Sequence, residues 1–150
     1  MPTEEFVMRG KTASGETEVL NFGSKHGYGF KLIEFSIYPS ADIGDFSAQE
    51  LMASVTAAKT FEDPQNPNFN NEGLIATSFL TMHDNPAYVG MLPNTVINDT
   101  FIITQNLILA VLDVQAGSPR AVNWQCKFKP VKMNETEMAN ANLRQFHIYD

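Results

Sequence analysis

The chain has 150 residues, 17 acidic and 10 basic, for a formal charge of −7 at pH 7. A chain of this length fits one domain that buries roughly 68–70% of its unfolded surface, so the fold needs neither disulfide nor metal. Hydrophobic residues at 43% exclude a wholly disordered chain, and charged residues at 18% are few for a soluble protein.

A low charge count in a small protein points to a surface that faces another chain. An acidic chain with few cations is repelled by phosphate backbones and anionic membranes, which argues against direct nucleic-acid or membrane contact. The charge is also uneven. No basic residue lies between Lys59 and Arg120, a stretch that holds Glu62, Asp63, Glu72, Asp84, Asp99 and Asp113. Residues 120–150 are net positive. The acidic middle is either ordinary solvated surface or a face that meets a basic partner, such as the positive tail segment of a neighbouring copy. The single cysteine, Cys126, forms no internal disulfide. The N-terminus is acidic, without the basic-then-apolar order of a signal peptide. The longest apolar run, residues 107–112, is far shorter than the about 20 residues that span a bilayer. The expectation is a soluble protein made in a cytoplasm.

In chain order, residues 4–9 and 17–22 read as strands that pair in an N-terminal hairpin around Ala13, Ser14 and Gly15, so that 1–28 form a hairpin or arm. Residues 30–38 are rich in aromatic and branched side chains and stop at Pro39. Ser47 and Glu50 have capping-box spacing, but residues 52–56 alternate, and the β-branched Val55 and Thr56 favour a strand. Residues 62–73 hold two prolines and four asparagines and form a long surface loop. Residues 74–82 are a strand stopped by Asp84, Asn85 and Pro86. Residues 100–104 and 107–114 give one long strand or two, bent near Gln105 and Asn106.

The clearest strand is 122–128, with Val122, Trp124, Cys126 and Phe128 on a buried face and Asn123, Gln125 and Lys127 on a wet one. Pro130 cannot donate to a ladder, so there the strand ends or reaches a sheet edge. Asn134 and Glu137 form a capping box, and Ala139, Leu143 and Phe146 follow at helical spacing, giving a C-terminal helix over 134–147. Many short strands with regular turns and little helix predict an all-β fold. The expectation is a single domain over 1–150, an antiparallel two-sheet sandwich of jelly-roll type with a short C-terminal helix. An immunoglobulin-like sandwich is the alternative, but it is usually about 100 residues long.

No pattern of catalytic or metal-binding residues is present. His26, His83 and His147 stand apart from one another, and no H-E-x-x-H, C-x-x-C or G-x-S-x-G string occurs. His83 with Asp84, and Asp42 with Asp45, read as polar turns rather than acid–base or calcium sites. Cys126 faces the core, where a thiol is inert. Gly27 to Gly29 leads into a strand and not a helix, so it lacks the cradle of a phosphate loop. Trp124 shares its face with apolar neighbours and reads as core rather than as a sugar platform. No catalytic residue, metal or cofactor is expected, and the chain reads as one that assembles rather than reacts. The segment 84–94 places Tyr88, Val89, Met91 and Leu92 between Pro86 and Pro93. Apolar groups in such a loop suit a partner interface, and these four are the candidate contact residues.

The alternating strand from Ala121 through Trp124, Cys126, Phe128 and Pro130 to Met133, followed by the capped helix from Asn134 to Arg144, resembles small jelly-roll virion proteins of tailed bacteriophages. The resemblance is one of layout and covers mainly residues 100–150; the N-terminal thirty residues match no part of it. It implies a non-enzymatic structural protein of the virion, forming or decorating the capsid. Its partners would be itself, as a trimer or larger set, and other capsid proteins. Two rivals are a carbohydrate-binding module using aromatics such as Tyr28 or Tyr88, and a small enzyme whose site is assembled from scattered residues.

Overall fold

The structure is a computed structural model and describes residues 4–22, 27–40, 49–82, 94–114 and 119–149. Among the described residues, eight strands are followed by one helix: β1 (Phe6–Thr12), β2 (Thr17–Leu20), β3 (Tyr28–Pro39), β4 (Gln49–Thr56), β5 (Leu74–Met82), β6 (Asn94–Ile97), β7 (Leu107–Asp113), β8 (Val122–Lys132) and α1 (Glu135–Tyr149). All pairing is antiparallel, in a three-stranded sheet β1-β8-β3 and a five-stranded sheet β2-β7-β4-β5-β6 packed as a sandwich. The pairing is nested: first strand with last, second with seventh, fourth with fifth.

The alternation in β8 sets the register of the smaller sheet. Val122, Trp124, Cys126 and Phe128 point inward and are buried, opposite Gly10 and Met8 on β1 and Ile37, Phe35 and Leu32 on β3. Leu32 and Phe35 are three apart, yet both are buried. The bulge between Leu32 and Glu34 returns the second half of β3 to the inner face. Pro130 lies within β8, but β1 ends opposite Phe128, so at Pro130 the strand has β3 beside it and an edge on the other side. A proline is tolerated there because no ladder donor is missed. Across the core, β4 and β7 contribute Leu51, Ala53, Val55, Leu107, Leu109 and Val111, each at most 1% exposed. Phe6, Phe22, Phe30 and Phe128 form an aromatic cluster with ring centroids 4.8 Å (Phe22–Phe128) to 6.4 Å (Phe6–Phe22) apart.

Two strand expectations are corrected. β1 and β2 do not form a hairpin: β1 pairs with β8 in one sheet and β2 with β7 in the other. The turn at Ala13–Gly15 carries the chain between sheets, with Gly15 at φ 82°. It is anchored on β7 by Gly15 N–H to Val111 O (2.9 Å) and by Ser14 Oγ, which accepts from Asp113 N at 2.8 Å. Both strands have an apolar side to bury, and crossing the core lets each cover it from its own sheet. Residues 100–104 are not a strand either. Phe101 and Ile103 are buried, but the backbone joins β3 through one bridge, Phe30 N to Ile103 O (2.9 Å) and Ile103 N to Phe30 O (2.7 Å). The short strand β6 was not legible in the sequence. Residues 52–56 resolve as strand, within β4, and 74–82 are β5.

The capping box of α1 forms: Glu137 N donates to Asn134 Oδ1 at 2.8 Å and Asn134 N donates to Glu137 Oε1 at 3.3 Å. The helix face differs from the sequence pattern. Ala139 is exposed and Leu143 is 56% exposed, while Gln145 is fully buried and its amide donates to Ile102 O at 3.4 Å. Arg144 sits 5.2 Å from the Phe101 ring centroid.

Candidate functional site

The outer face of the five-stranded sheet differs from an ordinary wet sheet face. Its outward rows run Leu112, Met52, Phe79, Asn94 and then Ala110, Ser54, Thr77, Val96, with Ile108 opposite Val19 at one end. Every side chain in these rows is uncharged. Phe79, Val96 and Val19 are about half exposed.

The Asn- and Pro-rich segment 61–73 lies across this face. Ser54 Oγ donates to Glu62 O at 2.6 Å, and Glu62 N donates to Thr56 Oγ1 at 3.2 Å, which leaves Ser54 and Thr56 fully buried. The Glu62 carboxylate gathers the loop by accepting from Asn68 N at 2.7 Å and Asn71 Nδ2 at 2.6 Å. Asp63, Asn68 and Asn71 each accept from the backbone N–H two residues on, at 3.0 Å. The asparagines therefore hold a fixed loop. Between that loop and strands β5 and β6 lies a groove of about 370 Å³, lined by Met52, Pro64, Pro67, Phe69, Phe79 and Val96 among others. Phe69 is 63% exposed at its rim. Rigid walls and uncovered aromatic surface are what a docking contact needs, since little ordering entropy is lost on binding.

The candidate contact residues Tyr88, Val89, Met91 and Leu92 fall between β5 and β6, outside the described residues, as do His26, Asp42, Asp45, His83 and Asp84. His147 lies on α1. Tyr28 is half-buried at the start of β3. Gly27 is a turn residue at φ 85° leading into β3. Trp124 is 7% exposed, with its indole N–H donating to Thr12 Oγ1 at 2.9 Å, so it is core and no sugar platform.

Cys126 is fully buried, and burial pushes its thiol up to about 12. The folded chain is expected to resist thiol reagents that label it in denaturant. Well below pH 9 the thiol is protonated in both states, so it adds no pH dependence there. Above that the unfolded thiol ionises first, and stability falls by up to about 1.4 kcal/mol per pH unit. Urea unfolding at pH 8 and pH 10.5 (approximate values bracketing the thiol range) should show this extra loss, and Cys126→Val should remove it.

Sequence reasoning missed Phe69, Phe79 and Val96. The signal present was in β5, where Ile75, Ala76, Phe79 and Leu80 place apolar side chains on both faces of one strand. A strand that is apolar on both sides is covered on both sides or meets a partner. Comparison with known protein families and with curated proteins finds no match to this chain.

Proposed function

We propose that this chain is a structural protein that works by docking onto other protein chains, first of all copies of itself, and not by chemistry. The observation that carries the reading is the apolar groove, with Phe69 on the loop and Phe79 and Val96 on the sheet held about half exposed around it. Contiguous apolar surface of this kind is costly in water and marks interaction sites. Its more specific form is a capsid or capsid-decoration protein of a phage virion. The nested strand order supports it, because pairing first with last and second with seventh is how a jelly roll is wound. Fold alone does not give function, so the reading rests on the groove.

The test is sedimentation velocity on the wild type and on Phe69→Ser with Phe79→Ser. The wild type should form a trimer or larger species. The double variant should shift to monomer while its unfolding free energy changes by no more than about 1 kcal/mol, as expected for exposed positions. A wild type that stays monomeric at high concentration would overturn the reading.

Carbohydrate binding is the second reading, and a different residue favours it. Tyr38 is 52% exposed on the outer face of the smaller sheet, in a shallow depression shared with Ser36, Asn123 and Gln125. An aromatic plane beside two amides suits a sugar ring. Glycan-array binding that is lost in Tyr38→Ala would favour this reading.

A further inference from the structure

The outer face of the three-stranded sheet has the opposite character to the apolar face. Arg9 and Lys11 on β1, Lys127 and Lys129 on β8 and Lys31 on β3 all point outward, which puts half of the chain's 10 basic residues on one sheet face. Against them stand Glu34, opposite Lys127, and Glu5, which pairs with Lys127 Nζ at 3.3 Å. Lys31 lies directly opposite Lys129, and among the described residues neither has a carboxylate partner. Like charges directly opposite across a ladder are destabilising, so an incoming anion would relieve a cost already present. Val7 (47%) and Tyr38 (52%) are exposed on the same face.

On the far side of the sandwich the uncharged sheet rows are flanked by acidic residues of the loop that crosses them. The stretch without a basic residue, between Lys59 and Arg120, supplies β5, β6 and β7 of the larger sheet and the loop across it. Asp63 and Glu72 are exposed on that loop, and Glu72 shares a second groove with Phe69 and with Arg144 of α1.

Building on the docking role proposed above, we infer that the occupant of the basic face is the grooved face of a second copy with its acidic loop, docked head to tail. The cations of the basic face, two of them on its central strand β8, then meet the carboxylates of that loop, while Val7 and Tyr38 on the edge strands β1 and β3 add apolar contact. The net charge of −7 alone would keep copies apart. The separation of charge between the two faces makes this one orientation attractive and opposes face-to-face pairing of like surfaces. Because the two faces differ, the contact is heterologous, and repetition closes a ring or extends a chain.

The experiment is a charge swap read by sedimentation velocity. Lys31→Glu with Lys129→Glu makes one variant, and Asp63→Lys with Glu72→Lys makes the other. Each alone should sediment as monomer with an unchanged melting curve. An equimolar mixture should recover assembly in species with an even number of copies, because every head-to-tail contact must then join one variant to the other. Wild-type association should weaken about tenfold or more between about 0.1 M and 1 M salt, as the Debye length falls from about 10 to about 3 Å. Either variant assembling alone as the wild type does, or a mixture that fails to recover assembly, overturns the inference. If assembly ignores salt and charge reversal yet is lost in Phe69→Ser with Phe79→Ser, this inference falls and the docking role stands. A wild type that is monomeric throughout removes both. Binding of heparin to the basic face without effect on assembly assigns that face to a polyanion instead and overturns the second-copy occupant.

Discussion

Trp124→Ala is expected to cost about 3–5 kcal/mol of folding free energy, the range for deleting a buried aromatic side chain. Three features place this residue at the upper end. It is 7% exposed and packs in the inner face of the central strand of its sheet, so the cavity is walled by fixed strands on both sides. Its partner on β1 is Gly10, where an added Cβ would stand 3.0 Å from the indole Cζ2, so the ring fills the space that the glycine leaves. Its N–H donates to Thr12 Oγ1, itself 4% exposed, and truncation removes that bond, leaving the hydroxyl only its 3.3 Å donation to Glu18 Oε1. Urea unfolding followed by far-UV circular dichroism measures the loss. The companion Thr12→Val leaves the ring and removes the hydrogen bond, and should cost about 1–3 kcal/mol. A Trp124→Ala loss below about 1 kcal/mol would mean that the neighbouring strands collapse onto the site.

Asp113→Ala is expected to be severe, about 2–4 kcal/mol, because it removes the acceptor of three donors from separate segments, the buried Gln49 amide among them. Asp113 is 2% exposed at the end of β7. Its Oδ1 accepts from Glu50 N at 3.3 Å, and its Oδ2 accepts from Gln49 Nε2 at 3.3 Å and from Arg120 N at 2.9 Å. Its own backbone N–H and C=O bind Ser14 Oγ in the turn that crosses between sheets. One carboxylate thus fixes the ends of β4 and β7 and the lead into β8, while its backbone holds the turn after β1. Asp113→Asn keeps the volume and one acceptor oxygen and should lose roughly half as much. The order wild type, Asn, Ala in urea midpoint is the expected result. Equal stability of Asn and Ala would show that the second oxygen carries the whole effect.

Several parts of this fold were legible from residue order because they rest on local rules. The period-2 face of Val122, Trp124, Cys126 and Phe128 needs no partner to be recognised. It placed Trp124 and Cys126 in the core, where both are found. The capping box at Asn134 and Glu137 closes within one turn, so four residues are enough to see it. The loop at 62–73 was legible from its prolines and asparagines, though its rigidity, which depends on the Glu62 carboxylate, was not. The candidate docking residues of that region were missed for a related reason. Phe79 sits in a strand that is apolar on both parities, and only pairing with Met52 and Asn94 shows which parity faces out.

The sequence by itself determined the class of fold, the buried strand, the capped helix and the acidic middle, since each is a matter of composition or of spacing within one segment. Tertiary structure alone decided which sheet each strand joins. β1 and β2 are separated by a four-residue connection yet pair with strands about 90 or more positions away, because each must bury its apolar side from opposite sides of the core. It also decided where the charges lie. Arg9, Lys31 and Lys129 are far apart in the chain, and only the register of three antiparallel strands puts them on one face, opposite the segment that has no cation at all. A side chain's direction in a sheet is set by long-range pairing, and a slip of one residue reverses it.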